Sequence, residues 1–126
     1  MTPFGVKVRE LREKRKVTLK KMAEDLGVSS AYFSALEHGH RGQPGSGLVQ
    51  QICAYFNLIW DDAEELRRLA QLSHPRIVVD TAGLSPKATE LANTLAEAIQ
   101  DMDEETMEWV MAEIRGRKFS LKGPTH

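Results

Sequence analysis

Apolar residues recur at helical spacing through most of the chain. Phe4, Val8 and Leu11 predict a first helix over residues 2–15, with Thr2 as its cap and Pro3 at its first position, where a missing N–H costs nothing. Met22, Ala23 and Leu26 form the inner face of a second helix. Val28, Phe33 and Leu36 form that of a third. Thr18 and Ser29 precede these two, and a hydroxyl there accepts from a backbone N–H left unpaired at a helix start. Val17 with Met22, and Val28 with Phe33, stand at the staple positions that fix the angle of chain entry. Gly27 falls where a helix end takes left-handed backbone. Two capped helices joined by a short turn containing Gly form the helix-turn-helix pattern. Val49, Ile52, Cys53 and Phe56 predict a fourth helix over about 47–56. Ala63, Leu66, Leu69 and Ala70 predict a fifth, opened by a capping box with Asp61 as cap and Glu64 three residues on. Trp60 is expected to cover the edge of the core, and Pro75 blocks continuation of the fifth helix.

Beyond position 74 the pattern changes. Residues 76–80, RIVVD, contain three β-branched residues in a row and predict an extended segment or short strand. It either crosses to a second subunit or lies on the core. Ser85-Pro86 then opens a helix with the stripe Ala88, Leu91, Ala92, Leu95, Ile99 and Met102. Asp103 opens another, with Met107, Val110, Met111 and Ile114 on its apolar face and Gly116 at its end. Two such helices make a hairpin that buries too little to stand alone. It must pack on the first domain or on another chain; the favoured cover is a second copy of the chain, with Leu91, Leu95, Ile99, Met107, Val110, Met111 and Ile114 as the dimer interface. The organisation is therefore a helix-turn-helix domain at 1–74, an extended linker or short strand at 75–84, a helical hairpin at 85–116 and a polar, basic tail at 117–126.

At 41% hydrophobic and 28% charged residues, the composition is that of a globular protein. No apolar run approaches the roughly 18 residues of a membrane span, no signal peptide is legible, and Cys53 is the only cysteine. These point to a cytoplasmic protein. The net charge of −1 hides an asymmetry: residues 1–45 carry +4 and residues 46–126 carry −5. The basic half holds the helix-turn-helix pattern, so a polyanion is expected on that face alone.

The stretch Ser30 to His38 leaves Ser30, Ala31, Ser34 and Ala35 facing outward. Such a short-chained surface suits close approach to a groove, with Ser bonding to bases or phosphates and Ala meeting thymine methyls. It also fits an ordinary helical hairpin with a small-residue surface. Lys14, Arg15 and Lys16 are either a solvated patch or phosphate contacts. The loop HRGQPGSG after His38 lacks the GxxxxGK[ST] spacing of a phosphate loop, and no strand precedes it. Cys53 with His38 and His40 has no metal-ligand spacing. No catalytic constellation is legible, and no cofactor is expected.

The segment resembles the XRE family of bacterial and phage regulators, the lambda-repressor/Cro type of helix-turn-helix. The matching residues are Leu11-Arg12, Leu19, Ala23, Gly27-Val28-Ser29, Tyr32-Phe33 and Leu36-Glu37-His38-Gly39. Leu19 and Lys20 stand where the family has Gln, and His38 where it has Asn. The resemblance covers about residues 4–72. It implies an all-α fold, a five-helix lambda-repressor-like domain to which the C-terminal hairpin is added, and a regulator without enzymatic activity. It further implies an ion pair between Arg12 and Glu37, and a loop after the recognition helix that rests on the DNA backbone. The expected base contacts are Ser29, Ser30, Ala31, Ser34 and Ala35. The expected phosphate contacts are Lys20, Lys21, Tyr32, His40, Arg41, Gln43 and Ser46. The resulting expectation is a sequence-specific regulator that binds double-stranded DNA as a homodimer, with half-sites about 34 Å apart. A second reading is an antitoxin-like or polymerase-binding protein, whose protein partner is primary and whose DNA binding serves autoregulation.

Overall fold

Each of the first three helices begins at a side-chain hydroxyl. Thr2, Thr18 and Ser29 accept from the N–H groups of Gly5, Lys21 and Tyr32, each at 3.0 Å. These contacts open α1 (Pro3–Arg15), α2 (Leu19–Leu26) and α3 (Ser30–Glu37). They satisfy donors that have no partner inside the helix. The computed structural model describes residues 1–117. Among these, the remaining helices are α4 (Ser46–Tyr55), α5 (Trp60–Gln71), α6 (Pro86–Ala98) and α7 (Glu104–Gly116), and there is no strand. The fold is all-α, of the lambda-repressor-like kind. The chain divides into two units, Met1–Val78 and a second beginning at Val79.

In the first unit α1 packs on α3 and α5, α2 on α3, and α4 on α5. All five helices contribute to one core. Phe4, Val8, Met22, Phe33, Leu36, Ile52 and Leu66 are its largest fully buried side chains. Ala23, 1% exposed, is small where α2 meets α3. Gly27 takes φ +76 between these helices, a conformation that L residues with a Cβ adopt at a cost. Two long-range bonds close the unit. The Phe4 N–H donates to Ser73 Oγ at 2.9 Å, and Ser73 donates in turn to the Leu69 carbonyl at 2.5 Å. The Arg15 guanidinium donates to the Phe56 carbonyl at 2.8 Å, which satisfies an acceptor at the end of α4.

Several expectations fail here. Asp61 does not cap α5: the cap position is Ile59, no side chain accepts there, and Asp61 lies inside the first turn. Glu64 pairs with Arg67 at 3.1 Å instead of reaching back. The chain enters α5 with Trp60 in left-handed backbone, φ +52. Trp60 is 83% exposed and covers no core. Helix α4 starts at Ser46, just before the predicted 47, with Gly45 at its cap position. Of the two forms expected for residues 76–80, an extended segment or a short strand, the strand is absent, and Ile77, Val78 and Val79 are exposed.

In the second unit α6 ends at Ala98, earlier than its stripe suggests. A 3-10 turn, Ile99–Asp101, follows before Asp103 caps α7 by accepting from Thr106 N–H at 2.7 Å. Neither helix contains a buried residue. All but Arg117 of the tail at 117–126 lies outside the described residues.

Gly5 carries a constraint that hydrophobic periodicity does not reveal. It is buried where α1 crosses α3, and a Cβ there would overlap the Glu37 carbonyl. The obstacle is backbone, which cannot swing aside. Gly5→Ala is therefore expected to destabilise the domain by about 1–3 kcal/mol or more, despite the better helix propensity of Ala. A lowered midpoint in urea denaturation checks this. An unchanged or raised midpoint contradicts it.

Candidate nucleic-acid interface

The third helix is fixed at one end and open at the other. At its C-terminal end the Glu37 carboxylate is met by Arg12 Nη2 at 3.3 Å from each oxygen, with side-chain exposures of 3% for Glu37 and 12% for Arg12. The Glu37 carbonyl also accepts from Thr2 N–H at 3.0 Å and from the Thr2 hydroxyl at 3.2 Å. Helix α1 thus holds the end of α3 through both the side chain and the backbone of one residue. Burial pushes the Glu37 carboxyl above its ordinary value of 4.5, and the nearby Arg12 guanidinium opposes that rise without cancelling it. Arg12 Nε is buried without a hydrogen-bond partner, so the pair is not fully satisfied.

At the other end Ser29, Ser30 and Ala31 are exposed, and Ser34 and Ala35 one turn further on are half-buried. The flanking cations and polar groups lie at the start of α2 and in the loop after α3. Lys20, Lys21, His40, Arg41, Gln43 and Ser46 are exposed, and Tyr32 is half-buried. The Arg41 guanidinium sits 5.7 Å from the centre of the Tyr32 ring, so a residue of α3 steadies the loop cation through its π-face. His38 donates from Nδ1 to the Ser34 carbonyl at 2.8 Å, and its ring stacks with His40 at 6.3 Å. Lys21 is engaged by Asp25 at 3.0 Å.

A sequence-family model described as a helix-turn-helix domain matches residues 5–72. The chain belongs to the helix-turn-helix domain family, of the XRE type. Over 62 residues it is 37% identical to the uncharacterized HTH-type transcriptional regulator RghRB of Bacillus subtilis (strain 168), covering 49% of this chain and 45% of that protein. Over 52 residues it is 40% identical to the HTH-type transcriptional repressor RghR of the same strain, covering 41% of this chain and 38% of that protein. The chain thus matches less than half the length of each of these relatives. No solved structure matches it.

The residues singled out from the sequence fall in two places. Those of α3, the start of α2 and the loop at 40–46 belong to the first unit. Leu91, Leu95, Ile99, Met107, Val110, Met111 and Ile114 belong to the second, where all are exposed or half-buried. Among the described residues no His, Cys, Asp or Glu cluster could hold a metal ion, and no helix is long and apolar enough to cross a membrane. Cys53 is buried in the core, and burial raises its thiol pKa. Sequence reasoning missed the bond from Arg15 to Phe56 and the hydroxyl contact from Tyr55 to Asp25. Both join residues far apart in the chain, and neither has a periodic signal.

The Arg12–Glu37 pair makes a testable case. Arg12→Met leaves a buried carboxylate unpaired and is expected to cost about 3–5 kcal/mol at neutral pH. A carboxyl whose folded pKa lies above its unfolded one stabilises fully below the unfolded value, and that contribution is lost as pH rises through the folded value. Acidification toward pH 4.5 should therefore restore part of the stability of Arg12→Met, while Arg12→Met/Glu37→Leu should show no such recovery. Urea denaturation across this pH range measures both. A loss independent of pH contradicts the assignment.

Proposed function

We propose that the chain is a sequence-specific, DNA-binding transcription regulator that acts as a homodimer, with α3 in the major groove. The observation that carries this reading is the open first turn of α3, Ser29 to Ala31, on a helix whose far end is locked to α1 by Glu37. A rigid helix with short, polar and apolar side chains at its exposed end can approach base edges closely. Ser29, Ser30 and Ser34 supply hydrogen bonds, and Ala31 and Ala35 supply apolar contact. Lys20, Lys21, Tyr32, His40, Arg41, Gln43 and Ser46 contact phosphates, which fixes register without reading sequence. With so few long side chains on the reading face, part of the discrimination comes from DNA shape.

The second unit supports the dimer. Its helices expose Leu91, Leu95, Ile99, Met111 and Ile114, and bury nothing of their own. Apolar surface of this kind gains most when another copy of the chain covers it. Dimerisation would place two recognition helices on neighbouring half-sites.

Two measurements test this. On a duplex selected from a random-sequence library, log K should fall linearly with log salt, and Arg41→Ala should flatten that slope by about 0.9, one phosphate's worth. An unaltered slope removes Arg41 from the interface. Light scattering should give a dimer mass for the full chain and a monomer mass for Leu95→Glu/Ile99→Glu. A dimer that survives this double substitution refutes the assigned interface.

A further inference from the structure

Lys21 and Asp25 stand one turn apart on α2, with Nζ 3.0 Å from Oδ1. Their order is the weak one. A cation toward the N-terminus and an acid toward the C-terminus both oppose the helix dipole, and i,i+4 pairs bind better the other way round. The helix alone gives little reason for the carboxylate to stay there. Tyr55, the last residue of α4, supplies the reason: its hydroxyl donates to Asp25 Oδ2 at 2.6 Å from thirty positions away. The Tyr55 ring rests edge-on against Phe56, a core residue, at 5.1 Å. The carboxylate is therefore held from outside its own helix, while the Lys21 side chain, 63% exposed, is the movable member. The Tyr55 bond first, and Lys21 second, keep the Asp25 carboxyl below its ordinary range, so it is ionised at neutral pH.

We infer that Asp25 is a fixed competitor for the phosphate that Lys21 would otherwise neutralise, a counter-charge built into the interface that lowers affinity for DNA of any sequence. This rests on the DNA-binding reading above. To neutralise a phosphate, Lys21 must leave Asp25 or share its protons with it, and the carboxylate, pinned by Tyr55, stays beside the polyanion. The lysine then releases less counterion than a free one would.

The test uses the full chain and a short duplex of mixed sequence, followed by fluorescence anisotropy across a salt series. Asp25→Asn keeps an acceptor for the Tyr55 hydroxyl, and an unchanged thermal midpoint verifies its fold. It should tighten binding about two- to fivefold and steepen the salt slope by up to about 0.9. Lys21→Met in the Asp25→Asn background should cancel both gains. A gain that survives Lys21→Met overturns the inference, because the carboxylate then acts by its charge alone. So does unchanged or weaker binding by Asp25→Asn while Arg41→Ala still flattens the slope, a result that leaves DNA binding intact. Wild-type binding without salt dependence removes both readings together.

Discussion

The first unit depends on the crossing of α1 over the end of α3. Three things meet there: a glycine with no room for a Cβ, a backbone carbonyl accepting from Thr2, and a carboxylate facing Arg12. Two of the three are polar and buried. Buried polar contacts add little net stability compared with apolar packing, but leaving one unmatched is costly. Their value here is geometric. They allow one angle and one register between α1 and α3, and so decide where the other end of α3 points.

That division of labour runs through the unit. Residues that set position make long-range contacts: Arg12, Glu37 and Ser73, which are partly or fully hidden, and the exposed Arg15. Those that face outward on α3 are short and local. The charge asymmetry along the chain has the same logic. The basic half carries the proposed polyanion surface, yet it is not uniformly basic, since Asp25 sits inside it and is fastened from α4. On the reading proposed above, the interface is tuned toward moderate attraction, so that discrimination rests on the turn at Ser29 to Ala31.

The legible part of this structure was the part governed by local rules. Thr2, Thr18 and Ser29 cap because a hydroxyl before an apolar repeat has one good use, and Gly27 ends α2 because few other residues take its backbone angle. The stripes at Phe4, Val8, Met22, Phe33 and Ile52 gave the core for the same reason. The start of α5 misled because Asp61 and Glu64 make a plausible box, whereas the chain turns into the helix two residues earlier, through left-handed Trp60. Val78 and Val79 favour a strand by propensity, but a strand needs a partner edge and none is present among the described residues. In the candidate interface, the small exposed residues followed from helix phase. The Tyr32–Arg41 stack and the Tyr55–Asp25–Lys21 chain did not, because each needs a fold before its members are neighbours.

The outward turn of Trp60 has an optical corollary. The chain has two tryptophans, one in each unit, and both indoles stand mostly in water, Trp60 at 83% and Trp109 at 64% exposure. Its intrinsic emission is therefore that of hydrated indole even in the native state. The light this protein gives off is blind to its interior and sensitive to whatever comes to rest on its outside.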